Sequence, residues 1–197
     1  HLINATMVRL IIEATPPVYT CCDMLVTAQD VASASRFQND RRRREHLAWR
    51  RIVRRELGKN TTIDYNAVGA PVVDTSNTHI SVSHGADMVA VAIADEMVGV
   101  DIEALDRNFD RVKSRYMSDM EITLSDHKDW AAMVWSAKEA IYKLYGRREV
   151  DLMDDIHITT YNAETMELRA TVCLADNILV KISFVDERAV VAVATYK

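Results

Sequence analysis

Two segments of this 197-residue chain constrain its fold more than any others. In the first, from Val98 to Glu103, apolar residues alternate with Gly99, Asp101 and Glu103. This alternation predicts a strand with one buried face and with both carboxylates on the same side. In the second segment, from Asp129 to Tyr145, apolar residues recur at helical spacing. The predicted helix carries a polar stripe made of Ser136, Glu139 and Lys143.

The three carboxylates of these segments would meet if the polar stripe of the helix faced the strand. Carboxylates at one point repel one another unless a cation lies between them, and oxygen ligands suit a hard cation such as Mg²⁺. The pattern therefore favours a metal site formed by Asp101, Glu103 and Glu139. A second interpretation stays open, because a Glu and a Lys four residues apart are often a solvated helix pair and Asp-x-Glu is often an exposed strand edge.

Four short motifs lie between residues 69 and 146. In chain order they are Gly69-Ala70-Pro71, Ser81-Val82-Ser83-His84, Gly99-Val100-Asp101-Ile102-Glu103 and Trp135-Ser136-Ala137-Lys138-Glu139-Ala140-Ile141-Tyr142-Lys143. Together they resemble the motifs of the 4′-phosphopantetheinyl transferase superfamily, particularly its larger surfactin-type branch. Three places depart from the family pattern. Gly85 replaces a common Ser or Thr, and Ala70 stands where a basic residue is frequent. Gly146-Arg147-Arg148-Glu149 lacks a frequent second glycine after the helix.

The resemblance implies a reaction in which a serine of an acyl or peptidyl carrier protein attacks the β-phosphate of coenzyme A. The phosphopantetheine arm is transferred, and adenosine 3′,5′-bisphosphate is released. A Mg²⁺ or Mn²⁺ ion would be held by Asp101, Glu103 and Glu139, with Lys143 beside the phosphates. Glu139 would take the serine proton, directly or through a metal-bound water. The catalytic residues implied are therefore Asp101, Glu139 and Lys143.

The resemblance also implies a binding site for coenzyme A as the donor substrate. The histidine of the Ser-His motif would contact a phosphate, and basic residues further upstream would hold the 3′-phosphate. The coenzyme A contacts implied in this way are Ser83, His84, Lys138, Lys143, Arg36 and Arg44.

An arginine-rich segment precedes these motifs. Residues 36–55 hold nine arginines against only Asp40 and Glu45, so the segment has a net charge of +7 within a chain of net charge −5. Such a segment can attract polyanions, acidic proteins or phosphorylated small molecules. Apolar residues at helical spacing predict a helix from Asp40 to Leu57, ended by Gly58. The arginines off its apolar stripe, which predict either a solvated face or a ligand-binding face, are Arg43, Arg50 and Arg54.

The order of the remaining helices and strands predicts an α+β fold with two α+β halves. The resemblance implies that these halves are similar subdomains related by a pseudo-twofold axis, with the active site in the cleft between them. Residues 1–97 would form the coenzyme A-binding side, and residues 98–197 would carry the metal site and the catalytic helix. The other predicted helices are a short one capped by Thr27 and Asp30, one at Asn108–Tyr116 and one opened by Ser118. The other predicted strands are Leu2–Ile12, His79–Ser83, Met88–Ala94, Ile156–Tyr161, Glu167–Cys173, Ile178–Val185 and Val190–Thr195.

Composition narrows the function classes further. No apolar run approaches the roughly 18 residues of a membrane span, and three cysteines, two of them adjacent, form no disulfide framework or metal pattern. We therefore expect a soluble, cytoplasmic protein without a membrane partner. The acidic remainder of the chain and the lack of a recognition motif disfavour nucleic-acid binding. The resemblance to the surfactin-type branch, which has both halves of the cleft in one chain, implies a monomer. The alternative to a transferase is a non-catalytic module that binds coenzyme A or a carrier protein.

Overall fold

The computed structural model describes residues 6–18, 24–174 and 177–197, and this part of the chain has a mixed α/β structure. Its α-helices are α1 (Ala28–Ala34), α2 (Asp40–Leu57), α3 (Asp119–Ile122) and α4 (Trp130–Tyr145). Its strands are β1 (Val8–Ala14), β2 (Ile63–Tyr65), β3 (Pro71–Val73), β4 (His79–Gly85), β5 (Met88–Ala94), β6 (Val98–Ala104), β7 (Ile156–Asn162), β8 (Glu167–Val172), β9 (Ile178–Val185) and β10 (Ala189–Tyr196).

The strands pair antiparallel throughout and form three sheets. One sheet has the order β1-β5-β4, the largest has the order β6-β10-β9-β8-β7, and β2 pairs with β3. The chain passes from the first sheet to the largest one at residues 95–97, between β5 and β6. Strand β6 therefore begins the largest sheet and lies at its edge.

The apolar core lies in three clusters. Residues of α2 pack on one face of the β1-β5-β4 sheet, with Val53 and Val91 fully buried. Residues of α4 pack on the largest sheet, and alternate residues of β5 pack against β6 and β10 between the two sheets. The two long helices thus cover the outer faces of a pair of stacked sheets, which follows from the one apolar stripe on each helix.

The predicted helix bounds agree closely with the structure. Helix α2 spans Asp40–Leu57 as predicted, with the side chain of Asn39 as its N-cap and Gly58 after its last residue. The capping boxes that open α1 and α3 are both formed, because Thr27 pairs with Asp30 and Ser118 pairs with Glu121. Local sequence is sufficient here because a capping box involves only residues within one helical turn.

Three predictions about local structure were wrong. Strand β6 is buried on both faces, not one, because β5 covers the side of Val100 and α4 covers the side of Gly99. Asn108–Tyr116 is not a helix apart from one 3₁₀ turn at Lys113–Arg115. The first strand is Val8–Ala14 and not Leu2–Ile12, and residues 2–5 of the predicted strand lie outside the described residues.

Two arginines of α2 fit neither of the predicted alternatives, a solvated face or a ligand-binding face. Arg50 and Arg54 are 4% and 5% exposed, and both pair with the buried carboxylate of Asp30 on α1. Burial alone would raise the pKa of Asp30, but hydrogen bonds and charge from Arg54 lower it below its ordinary value. These two arginines therefore fix α1 against α2, and they are not available to a ligand.

Within the described residues, no helix is both long enough and apolar enough to cross a membrane.

Candidate functional site

The contact between α4 and β6 is made by backbone against backbone. A Cβ atom on Gly99 would lie 1.9 Å from the carbonyl oxygen of Ala140 and 2.7 Å from the amide nitrogen of Leu144. Only glycine fits at this position without a shift of the helix. The close approach brings Ser136 and Lys143 of the polar stripe onto the strand, which is one of the two interpretations that the sequence left open.

Asp101 lies at the centre of this contact and is 4% exposed. Its Oδ1 accepts hydrogen bonds from Ser83 Oγ and from Lys143 Nζ, each at 3.1 Å. Lys143 Nζ also donates to the carbonyl oxygen of Val100 at 2.9 Å. Asp101 Oδ2, by contrast, is buried and has no hydrogen-bond partner. A buried carboxylate oxygen without a donor is costly, so this atom marks a position where a positive group would be stabilised.

Glu103 lies two residues further along the strand and faces α4 as well. Its Oε1 accepts a hydrogen bond from Trp135 Nε1 at 2.8 Å, and its Oε2 is paired with Arg107. The Arg107 guanidinium lies over the ring of Phe109, 4.9 Å from its centre. Burial, together with the negative charge of Asp101, raises the pKa of Glu103 above its ordinary value.

Glu139 is the third carboxylate, and it projects from the same face of α4 as Lys143. Burial raises the pKa of Glu139, and the charges of Asp101 and Glu103 raise it further, while Lys143 opposes them. The three carboxylates therefore share one electrostatic field. Among the described residues, however, no group of three or more His, Cys, Asp or Glu side chains converges closely enough to hold a metal ion.

His84 occupies the exposed end of β4, next to the turn into β5, as predicted. Its Nδ1 lies 3.2 Å from Oε2 of Glu45, a residue of α2 that is only 3% exposed. Its Nε2 contacts a guanidinium nitrogen of Arg42. Arg41 completes the cluster, because its Nε donates to Oε1 of Glu45 at 3.0 Å. Burial lowers the pKa of His84, Glu45 raises it, and the cations Arg42, Lys143 and Arg41 lower it further.

The structure does not bring Arg36 or Arg44 to His84. Arg44 pairs with Asp40 at 2.9 Å and donates to the carbonyl oxygen of Pro16, and it lines a separate cavity of about 550 Å³. Arg36 donates to the carbonyl oxygen of Ser33. The helix turns about 100° per residue. Arg44 is two positions after Arg42, and it therefore lies on a different face of α2 from the arginine that contacts His84.

Lys138 does not lie beside Glu139 and Lys143, because it points to the other side of α4. Its side chain is fully buried, and its Nζ pairs with Glu121 at 2.9 Å. The same atom donates to the carbonyl oxygens of Tyr116 and Leu152, so all three of its protons are used. The predicted contact between Lys138 and coenzyme A is therefore wrong, because the ammonium group is buried and its protons are already bound by protein atoms.

A cavity of about 400 Å³ opens beside Lys143. It lies between the β2–β3 hairpin, strand β4 and the C-terminal end of α4. The Gly-x-Pro motif forms one wall of it, and aromatic and basic residues in the last turn of α4 and directly after it form another. The residues that define these walls are Gly69, Ala70, Pro71, Tyr142, Lys143 and Arg148.

Several residues of this region were not identified from the sequence. Glu45 lies one helical turn before Ala48 and Trp49, so extending the apolar stripe of α2 toward its N-terminus would have placed Glu45 against the sheet. The helical period of α2 could therefore have predicted that Glu45 is buried. No comparable signal existed for Arg107, because its contact with Glu103 depends on the course of an irregular loop.

Comparison with known proteins adds one positive result. Residues 97–194 match the family model of the 4′-phosphopantetheinyl transferase superfamily. This region includes the three carboxylates and Lys143, whereas His84 and the cluster around it lie outside the match. A search among curated proteins finds no match to the chain.

Proposed function

We propose, from the superfamily domain at residues 97–194, that this chain transfers the 4′-phosphopantetheine arm of coenzyme A to a serine of a carrier protein. The observation that carries the proposal is the buried, unpartnered Oδ2 of Asp101. Burial and the charge of Asp101 also raise the pKa values of Glu103 and Glu139. Such an arrangement destabilises the free protein, and a bound cation would relieve it.

The donor set fits a magnesium ion in its chemistry. Asp101, Glu103 and Glu139 offer only carboxylate oxygens, and Mg²⁺ takes one or two protein carboxylates together with water and substrate phosphate. Both oxygens of Glu103 are engaged, one by Trp135 and the other by Arg107. This agrees with the observation that the three carboxylates do not converge closely enough to hold a metal ion. When bound, the ion supplies charge neutralisation for the diphosphate of the donor.

The chain's own residues supply positioning and proton transfer. Lys143 is held by Asp101 and Val100, so its ammonium group is fixed where it can donate its remaining proton to a phosphate oxygen. Glu139 accepts the proton of the carrier serine as general base. Its raised pKa suits this role, because a base acts best when its pKa approaches the working pH.

Coenzyme A would occupy the 400 Å³ cavity beside Lys143, with its phosphates directed toward His84. Arg42, which contacts His84, replaces Arg36 and Arg44 as the proposed partner of a phosphate. Ser83 serves a different purpose from direct ligand contact. It holds Asp101 and donates no proton to the cavity, because its hydroxyl is buried against that carboxylate.

The finer assignments are proposals of the same kind. We assign the chain to the surfactin-type branch, with subdomains at 1–97 and 98–197 related by a pseudo-twofold axis, and we expect a cytoplasmic monomer. Support comes from the recurrence of one arrangement in both halves, an antiparallel sheet covered by one long helix. With both halves of the cleft in one chain, no second copy is needed to complete it.

The decisive experiment is the intact mass of an apo carrier protein after incubation with this chain, coenzyme A and Mg²⁺. We expect a gain of one phosphopantetheine arm that disappears when the metal is chelated. Fatty-acid, polyketide and peptide-synthetase carriers should each be tried. No gain with any of them, despite measurable binding of coenzyme A, would overturn the proposal.

The second candidate is a non-catalytic module that binds coenzyme A or a carrier protein. The observation in its favour is that Glu103 is already neutralised by Arg107. Glu139→Gln separates the two functions when coenzyme A binding and carrier mass are measured together. A transferase loses turnover and keeps its ligand, whereas a binding module has no turnover to lose.

A further inference from the structure

Glu45 is a buried carboxylate that no part of the proposed reaction uses. It lies on α2 and is 3% exposed, and both of its oxygens are engaged. Oε1 accepts from Arg41 Nε at 3.0 Å, and Oε2 lies 3.2 Å from Nδ1 of His84. Buried charges are kept only where they are paired, so Glu45 is committed to the orientation of these two side chains.

This contact determines which ring nitrogen of His84 carries the proton. A carboxylate can only accept hydrogen bonds, so Nδ1 is the protonated nitrogen and Nε2 has the lone pair. That lone pair faces Arg42, which donates to it. In the free protein the neutral imidazole therefore presents an acceptor, and not a donor, to the outside.

The charges around His84 come from three elements. Helix α2 contributes Arg41, Arg42 and Glu45, helix α4 contributes Lys143, and the β4–β5 turn contributes Asp87, which pairs with Arg41 at 3.3 Å. Before a ligand binds, the three cations disfavour a further positive charge on the ring. A phosphate that binds to Arg42 and Lys143 reverses this balance, because it adds negative charge beside Nε2.

An oxygen of that phosphate cannot receive a hydrogen bond from a nitrogen that has only a lone pair. We propose that Glu45 is a positioning residue that allows His84 to take up one proton at Nε2 when a phosphate binds, so that the imidazolium donates to Glu45 on one side and to the phosphate on the other. The proton comes from solvent, and no covalent bond is broken. The inference rests on the proposed function only in naming coenzyme A as the source of the phosphate.

The test is isothermal titration of the full chain with coenzyme A and with inorganic pyrophosphate at pH 7, in buffers of different ionisation enthalpy. For the wild type we expect uptake of about half a proton or more per ligand in excess of that seen with His84→Gln. Protons taken up by the ligand itself contribute equally in wild type and in His84→Gln. The difference in proton uptake between the two proteins therefore measures protonation of His84. Glu45→Gln should abolish the excess and weaken binding by about tenfold.

The matched control is Glu56→Gln on the same helix, where the carboxylate pairs with Arg9 and Arg55. It should keep the excess proton uptake. Equal uptake in wild type and His84→Gln would overturn the inference, and so would full uptake in Glu45→Gln. Proton-linked binding of pyrophosphate without any transfer to a carrier protein would instead leave this inference standing and refute the proposed function.

Discussion

The ammonium group of Lys138 and the carboxylate of Glu121 form an ion pair in which neither side chain is exposed, with 2.9 Å between Nζ and Oε1. Glu121 also accepts from the amide nitrogens of Ser118 and Ile158. The pair therefore joins α3, α4 and β7. Burial lowers the pKa of Lys138, while Glu121 opposes this effect.

Removing one partner of this ion pair leaves an uncompensated buried charge. Lys138→Met is expected to lower the free energy of unfolding by about 3–5 kcal/mol, as measured by urea denaturation. The exposed Lys128→Met serves as the control and should change little. Adding Glu121→Gln to Lys138→Met should recover part of the loss, and a double variant as unstable as the single one would contradict this explanation.

Gly99→Ala tests the backbone contact between α4 and β6. The new methyl group overlaps the carbonyl oxygen of Ala140, so the helix must move away from the strand that carries Asp101. We expect a loss of about 3 kcal/mol or more in the free energy of unfolding, at the upper end of overpacking effects. Gly69→Ala is the control, because its Cβ would meet nothing within 4 Å and only its positive φ is strained. Similar losses in the two variants would argue against the close contact.

The raised pKa values of Glu103 and Glu139 predict the direction in which the free energy of unfolding changes with pH. A carboxyl group whose pKa is raised by folding contributes stability below its unfolded pKa, and this contribution is lost as the pH rises through the folded value. Glu103→Gln should therefore gain stability relative to wild type as the pH rises from 4.5 to 7. Urea denaturation at the two pH values measures it. The exposed Glu164→Gln should show no such trend, and a pH-independent difference for Glu103→Gln would count against the prediction.

Arg107 neutralises Glu103 in the free protein and should compete with a divalent cation for it. Arg107→Gln is expected to tighten Mg²⁺ binding by about two- to fivefold, which corresponds to the usual strength of an exposed ion pair. Isothermal titration with Mg²⁺ alone measures the change without any turnover. Arg111→Gln makes the same change of charge four residues away. Equal effects of both variants would indicate a general charge effect rather than competition at Glu103.

The sequence was informative wherever a contact is local or periodic. The bounds of α2 and the capping boxes at Thr27 and Ser118 follow from spacing within one element, and so do the polar stripe of α4 and the shared face of Asp101 and Glu103 on β6. Burial of charged residues did not follow in this way. Arg54 is buried by Asp30 and Lys138 by Glu121, and in both cases the partner lies on another element. Such pairs depend on how elements pack, which propensity and periodicity do not encode.

The irregular segment after β6 shows the same limit. Asn108–Tyr116 has a helical composition, but the amide nitrogen of Val112 bonds to the carbonyl oxygen of Phe109, three residues before it. The rings of Phe109 and Tyr116 both pack on Trp135 of α4. Tertiary packing of two aromatic rings therefore overrides the helical preference of this segment.

Strand β6 is the outermost strand of its sheet, yet its outward backbone groups are not open. The amide nitrogen of Val100 donates to Ser81 Oγ at 3.0 Å, and the amide nitrogen of Ile102 donates to Ser83 Oγ at 3.3 Å. The carbonyl oxygen of Val100 is taken by Lys143. An exposed edge with free backbone groups is a template for pairing with another molecule. The side chains that build the site therefore also occupy the edge of this sheet. A variant chosen to disable Lys143 would leave the carbonyl oxygen of Val100 without this partner.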